Sequence, residues 1–188
     1  MIMDLNQITI IKRDVKYPRI ELKTNVPILI LPKTDYFEPE AILNKHRKWL
    51  KQKLEFVENI KNKYKNQRTY LRNEKELINL VENSVKRYSV TLKRKPTKIM
   101  FRYMRTKWGS CSKKGRITFN LILKYVAPSI IYYIVFHEMM HLIIPKHNEK
   151  FWLRIGQEFK NYKKHEETLF GYWFLINSQK IKTQTSIV

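Results

Sequence analysis

The sequence His-Glu-Met-Met-His-Leu-Ile-Ile-Pro-Lys-His occupies residues 137–147 and directly follows the apolar run of residues 130–136. An apolar run of this kind, with no strict alternation of polar and apolar residues, predicts a buried helix. Four residues advance an α-helix by slightly more than one turn, so His137 and His141 lie on the same face. The sequence therefore predicts a core helix that presents two imidazoles to one metal ion.

The residues that follow complete the pattern of a catalytic zinc site. The ring of Pro145 stops the helix, so the chain turns and His147 returns towards the first two histidines. Three imidazoles leave one position of a tetrahedral Zn²⁺ ion for water, which distinguishes a catalytic zinc site from a structural one. Glu138 lies beside the same face and is predicted to act on this metal-bound water as the general base.

The competing interpretation is a chance pattern of packed or solvated histidines. It is disfavoured because three of the five histidines in the chain fall within these eleven residues. The other two, His46 and His165, are interpreted as exposed helix residues and not as ligands. An acidic third ligand in place of His147 stays open, and the candidates are Glu158, Glu166 and Glu167.

The composition limits the class of protein. With 188 residues and 43% hydrophobic residues, the chain is long enough for a sizeable core. The formal net charge of +22 favours nucleic acid, phosphate anions or acidic protein surfaces as partners, although the excess is spread over the chain. Cys111 is the single cysteine, which excludes an intramolecular disulfide and suits a cytoplasmic location.

Neither a secretory signal nor a membrane span is expected. Residues 1–11 carry Asp4 and lack both a basic leading region and a long apolar core. Residues 127–144 are strongly apolar, but their uncharged part before His137 is about ten residues long and too short to cross a bilayer. This segment is therefore interpreted as a core helix.

The pattern of elements predicts an α+β fold in a single domain over residues 1–176. Residues 1–95 are expected to hold an N-terminal antiparallel β-meander and helices, residues 96–176 the catalytic part, and residues 177–188 a flexible C-terminal tail. The predicted elements are strands at 7–12, 19–23 and 28–31, helices at 38–66 and 73–93, and strands at 98–105 and 116–123. The first helix has a loose apolar stripe of Ile42, Trp49, Leu54, Phe56, Val57 and Ile60.

A polar, glycine-bounded loop is predicted at residues 108–115. Two interpretations of Trp108–Ser112 remain, because the loop either borders a cleft or uses Trp108 as an anchor and Gly109 for its backbone angles. The structural interpretation is favoured, and Cys111 is not taken as a metal ligand.

The order of these motifs resembles the YgjP-like metallopeptidase domain, which is related to the SprT-like and WLM zinc peptidases. The resemblance rests on Trp-Gly-Ser-Cys-Ser at residues 108–112, the strand ending near Asn120, Pro128, residues 137–147, and Phe151-Trp152. It covers roughly residues 98–155, and the N-terminal part is also similar to the start of that family. Met140 departs from the small residue common at its position, which bears on packing and not on the metal.

The resemblance implies a zincin-like metallopeptidase fold with a His-Glu-x-x-His active-site helix. It implies that His137, His141 and His147 bind Zn²⁺ and that Glu138 is the catalytic base.

The predicted function is zinc-dependent hydrolysis of peptide bonds in a peptide or protein substrate, acting near nucleic acid in one version of the hypothesis. Strand 116–123 is expected to align the substrate, and Tyr103, Arg105 and Tyr125 are candidates for stabilising the oxyanion. The alternatives are a metal-dependent nucleotide pyrophosphatase, and a basic nucleic-acid-binding module with a structural metal. The sequence does not indicate an oligomeric state.

Overall fold

A computed structural model describes residues 8–21, 27–34 and 36–185, with side chains up to Asn177. The chain divides into two compact units, an N-terminal unit (Met1–Lys63) and a C-terminal unit (Tyr64–Val188), and each is described by itself. Both contain helices and a small sheet, so the mixed α+β class is confirmed. Within the described residues, no helix combines the length and apolar composition that a bilayer crossing requires.

The N-terminal unit begins with a mixed sheet of β1 (Thr9–Arg13), β2 (Arg19–Glu21) and β3 (Ile28–Pro32). β3 lies between the other two strands, parallel to β1 and antiparallel to β2. The predicted antiparallel meander is therefore wrong, although the three strands exist. The reason is the composition of β3, which is apolar on both faces and largely buried, so it takes the central position, whereas β1 is mostly exposed. Residues 7, 22 and 23 of the predicted strands lie outside the described residues.

Two helices replace the single helix predicted at residues 38–66. α1 (Pro39–Lys45) and α2 (Arg47–Tyr64) are separated at His46, whose backbone leaves the helical conformation. Leu43 and Leu50, seven residues apart, pack in the core of this unit with Ile8, Leu29 and Leu31. The expected stripe is wrong at Trp49 and Phe56, which are 40% and 47% exposed.

The C-terminal unit contains α3 (Glu74–Leu92), β4 (Lys98–Arg102), β5 (Gly109–Cys111), β6 (Arg116–Asn120), α4 (Pro128–Met140), α5 (Glu149–Glu158) and α6 (Tyr162–Thr185). β6 is central, parallel to β4 and antiparallel to β5. The residues of β5 were expected in a loop, so the structure corrects that prediction. Because β6 is paired on both sides, it has no free edge for a substrate, contrary to expectation.

The core of the C-terminal unit forms around α4, which is apolar on all sides. Leu77, Val81 and Val85 of α3 pack in the same cluster as Ile131 and Met139 of α4. This places α3 in the same core as the candidate site and not in a separate N-terminal part. Met140 is also buried in this cluster, so the larger side chain is accommodated.

Polar side chains fix the start of α3 and the end of β6. Asn73 and Glu76 form a capping box at the start of α3. Asn120 is fully buried, and its side chain amide donates to the carbonyl oxygens of Met104 and Lys107 at 2.8 and 2.7 Å. These bonds hold the connection from β4 to β5 against the end of β6.

The final helix is longer than the sequence indicates. α6 continues to Thr185, whereas a flexible tail was expected from residue 177. The extension contains no Pro or Gly that would interrupt the helix. Residues 186–188 lie outside the described residues.

Candidate active site

The C-terminal end of α4 carries the first two histidines. Their ring centroids are 5.2 Å apart, and α4 ends at Met140, with His141 as its C-cap. A tight turn follows, closed by the bond from the Ile144 amide to the Met140 carbonyl at 2.8 Å. This turn brings the Ile144 carbonyl to within 3.1 Å of His141 Nδ1, so that Nδ1–H donates to it and Nε2 is left as a lone-pair donor.

His147 joins these two residues after the chain reverses. Its Nε2 lies 2.9 Å from Nε2 of His137, and one ring nitrogen of each of the three histidines lies within 4.8 Å of the others. Two nitrogen ligands of one tetrahedral zinc ion would lie about 3.3 Å apart, given ordinary Zn–N distances. A set of three imidazoles suits a borderline metal such as Zn²⁺ better than Mg²⁺ or Ca²⁺. The residues therefore fit a divalent ion with small movements of the rings.

Two aromatic residues at the start of α5 form a wall around the histidines. Phe151 stacks on His141 with a centroid distance of 4.7 Å, and Trp152 stacks on His147 at 5.6 Å. Asn148 caps this helix, since its Oδ1 accepts from the Phe151 amide at 3.0 Å. The cap thus fixes the helix turn that immediately follows His147.

Burial keeps the first two imidazoles neutral. Burial is the largest of three effects that together lower the pKa of His137 to about 3, and the other two come from the neighbouring His141 and His147. Burial also lowers the pKa of His141, against the opposing effect of its bond to Ile144. Neutral imidazoles are the form that binds metals, so the protein environment favours ligation at neutral pH.

Glu138 lies in the wall of the same cleft and is 8% exposed. Burial raises the pKa of its carboxyl group to about 8, with a smaller opposing effect from Lys107. The carboxyl group lies directly against β5, because a Cβ atom on Gly109 would be 2.6 Å from Glu138 Cγ and 2.7 Å from Oε1. Gly109 is therefore required by proximity to Glu138. Its backbone φ is not in the left-handed region, so the expected role in turn angles is wrong.

A buried tyrosine holds an acidic residue beside His137. The Tyr133 hydroxyl donates to Glu166 Oε1, and this oxygen lies 4.0 Å from Nδ1 of His137. Burial raises the pKa of Tyr133, so its hydroxyl stays protonated and remains a donor. Since Nε2 of His137 faces His147, Glu166 lies on the opposite side of the ring. From there, Glu166 Oε1 would accept a hydrogen bond from Nδ1–H of His137, either after a small shift of the side chains or through a bridging water.

The acidic alternatives to His147 do not join the group of converging atoms among the described residues. Glu167 accepts a bond from the Tyr64 hydroxyl at 3.1 Å, and Glu166 is held as described. His165 is not exposed as expected, because its ring packs edge-on against Tyr133 at 5.2 Å. His46 is exposed in the N-terminal unit.

The site opens into a cleft of about 880 Å³. Its walls include the four candidate residues, Tyr133, Glu166, and residues 107–113 before, within and after β5. Cys111 lines it too, and burial raises the pKa of its thiol, so it stays protonated. Tyr103, Arg105 and Tyr125 are not among its lining residues, and the Tyr103 hydroxyl donates to Glu74 at 3.2 Å. The expected oxyanion roles therefore gain no support.

An α+β unit whose core helix brings two histidines to a third, beside a buried glutamate, defines a candidate metalloenzyme. The chain belongs to the YgjP-like metallopeptidase domain family, whose model matches residues 68–171, more than half of the chain. The matched region includes α3, the β4–β6–β5 sheet, α4, α5 and the first part of α6.

A solved structure is also similar, that of the metallopeptidase zymogen jannalysin from Methanocaldococcus jannaschii. The two are 22% identical with a TM-score of 0.42, over 47% of this chain and 84% of that chain. No curated protein sequence gives a significant match.

Proposed function

We propose that this protein is a zinc-dependent metallopeptidase in which His137, His141 and His147 hold the ion and Glu138 is the general base. The carrying observation is the convergence of three ring nitrogens in one cleft with a buried carboxyl group in its wall. When bound, the ion would lower the pKa of a coordinated water to about 7 and polarise the scissile carbonyl. The family supports peptide bonds as the target.

The carboxyl group of Glu138 would move the proton in both halves of the reaction. One of its oxygen atoms accepts a proton from the attacking water, and the same oxygen then donates it to the leaving nitrogen. In the metal-free protein, burial raises the pKa of the Glu138 carboxyl group, so the group is a stronger base there than an exposed carboxylate. Glu138 would therefore keep the proton until the leaving nitrogen has become basic enough to accept it.

The free edge of β5 is the proposed guide for the substrate. The Asn120 amide donates to the Trp108 carbonyl at 2.9 Å, and Ser110, two residues further along, is the register partner of Thr118, so it occupies the next hydrogen-bonded position of the antiparallel ladder. The backbone N–H and C=O groups of Gly109 and Cys111 therefore point away from β6, towards the open edge. An extended peptide would pair with these groups and lie along Glu138. This assignment replaces the one expected for residues 116–123.

A metal-dependent nucleotide pyrophosphatase is the second candidate. Lys107, Lys113 and Lys146 line the same cleft, and their ammonium groups would attract a phosphate chain. This alternative uses the same metal ligands and the same base as the peptidase, so only the identity of the substrate distinguishes the two functions.

The test compares the wild-type protein with Glu138→Gln and His147→Ala after zinc loading. We expect zinc bound at one equivalent by the wild type and by Glu138→Gln, and weakly by His147→Ala. Only the wild type should cleave an unfolded protein substrate. Pyrophosphate release from nucleoside triphosphates without peptide cleavage would favour the second candidate. Cleavage by Glu138→Gln at the wild-type rate would contradict the assigned base.

A further inference from the structure

Acidic residues are absent from a long part of the C-terminal unit. Between Glu82 and Glu138 the chain has thirteen Lys and Arg residues and no Asp or Glu. These are Lys86, Arg87, Lys93, Arg94, Lys95, Lys98, Arg102, Arg105, Lys107, Lys113, Lys114, Arg116 and Lys124. The segment includes all three strands of the sheet that borders the cleft, and two of its cations, Lys107 and Lys113, line the cleft itself.

The sheet gathers four of these residues at one end. Lys98 and Arg116 are register partners at the starts of β4 and β6. The turn from β5 to β6 carries Lys113 and Lys114, and Thr97 joins it to β4 by donating its hydroxyl to the Lys114 carbonyl at 2.9 Å. We refer to Lys98, Lys113, Lys114 and Arg116 as the basic end of the sheet.

The charges of the basic end are not neutralised within the described part of the chain. All four side chains are exposed, and none of them forms a salt bridge there. Four cations on adjacent strands and a turn repel one another, a cost that an anionic partner would remove. Lys113 also lines the cleft itself, which connects the basic end with the site.

Strand geometry gives the distance from the base to the basic end. A strand advances about 3.3 Å per residue, and Gly109, which lies against Glu138, is three residues before the turn that begins after Ser112, so the start of the turn is roughly 10 Å away. A peptide paired with β5 advances at the same rate. If its scissile carbonyl lies beside Glu138, its side chains about three to five residues away reach the basic end.

We propose that the basic end selects substrates with Asp or Glu about three to five residues from the cleaved bond, on the side that runs over Lys113, Lys114 and Arg116. This specificity rests on the proposed peptidase function. A peptide is favoured over a nucleic acid because the neighbouring wall is the free edge of β5, which pairs with an extended peptide backbone. The cations lie at the end of this edge, where they would read the side chains of such a peptide.

The test uses zinc-loaded Glu138→Gln protein, which should bind peptides without cleaving them. Fluorescent peptide libraries have a randomised uncharged centre and a flank of four Glu on the N-terminal side, four Glu on the C-terminal side, or four Gln. We expect one of the two Glu libraries to bind about tenfold more tightly than the Gln library at low salt, with the difference shrinking as salt rises. The readout is the dissociation constant from fluorescence anisotropy.

Two further variants locate the effect. Adding Lys113→Gln, Lys114→Gln and Arg116→Gln should abolish the preference for Glu. Adding Lys150→Gln, Arg154→Gln and Lys160→Gln, which removes the same charge from exposed positions on and just after α5, should leave it unchanged. Equal binding of all libraries, or a preference that survives the first set, would overturn the proposal.

Two control measurements separate this proposal from its competitors and from the peptidase assignment. A single-stranded oligonucleotide that bound more tightly than either Glu library, and lost binding with the first set of substitutions, would assign the basic end to nucleic acid and overturn the proposal. Wild-type protein is then given the same libraries. Failure to cleave any of them, with the Glu preference in binding intact, would contradict the peptidase function and support the binding specificity. Equal cleavage of all of them would contradict the specificity alone.

Discussion

Gly109 lacks a side chain because the carboxyl end of Glu138 fills the space that a Cβ atom would take. Replacement by Ala places the new methyl group 2.6 Å from Glu138 Cγ, so the carboxyl group has to move. We expect Gly109→Ala to reduce kcat by at least about tenfold, because small misplacements of a catalytic group are costly. Zinc affinity should change little.

The matched control for this substitution is Gly156→Ala. A Cβ atom there meets only the Tyr162 ring, at 3.7 Å, which is an ordinary contact. Activity assays and zinc titrations of the two variants form the measurement. Full activity in Gly109→Ala would mean that the position of Glu138 does not matter for the reaction.

The raised pKa of Glu138 predicts a pH dependence of stability in the metal-free protein. The folded pKa of about 8 lies well above the ordinary value of 4.5, so the unfolded chain releases this proton first as pH rises. The contribution of the neutral carboxyl group is complete below pH 4.5 and is lost as pH rises through 8. As pH rises through this range, the free energy of unfolding of the metal-free wild type should fall by a few kcal/mol relative to that of Glu138→Gln, on the order of 1.4 kcal/mol per pKa unit.

Urea unfolding of both metal-free proteins between pH 5 and pH 8 measures this difference. His137 titrates with a lowered pKa, but it is present in both proteins, so its effect cancels. A difference that does not change with pH would contradict the burial of the carboxyl group.

Among the secondary structure elements, α5 connects helix capping with the metal site. Its cap, Asn148, lies next to His147 and bonds the Phe151 amide. Removing an N-cap side chain costs about 1 kcal/mol, so Asn148→Ala should destabilise the protein by roughly that amount. It should also weaken zinc binding severalfold, because Phe151 and Trp152 hold the imidazole rings in place.

Asn73→Ala is the control for this prediction. Asn73 caps α3 in the same way, with its Oδ1 accepting from the Glu76 amide at 2.8 Å, and it is not among the residues that line the cleft. It should cause a similar loss of thermal stability without a change in the zinc dissociation constant. Identical zinc dissociation constants for both variants would show that the cap of α5 does not influence metal binding.

Helices α3 and α4 and the convergence of the three histidines could be predicted from the sequence, whereas the break at His46 and the extension of α6 to Thr185 were not. The signals of the predicted features are local, since α3 and α4 have long apolar patterns and the histidines lie within eleven residues. β5 could not be predicted, because three residues in a polar stretch become a strand only when β6 is there to pair with them. For the same reason, the contacts of Gly109 with Glu138 and of Tyr133 with Glu166 were missed. Both join parts of the chain that are distant in sequence.

For the molecule as a whole, zinc should act as a stabilising ligand. Free zinc at one hundred times its dissociation constant stabilises the folded state by about 2.7 kcal/mol. In a chain of this size that corresponds to roughly 5–10 °C in Tm. Thermal unfolding with zinc and with a chelator measures the shift. His147→Ala should show almost none, and an equal shift in that variant would place the metal elsewhere.

The clustering of all three candidate ligands within eleven consecutive residues has a consequence for how the site is assembled. Their convergence requires closure of a very short loop, which costs little chain entropy. The parts that align the reaction, β5 and Glu166, come from segments that meet the histidines only through long-range packing. In a urea titration, zinc binding should therefore persist at urea concentrations at which catalytic activity is already lost, because a partly unfolded protein still holds the three histidines together.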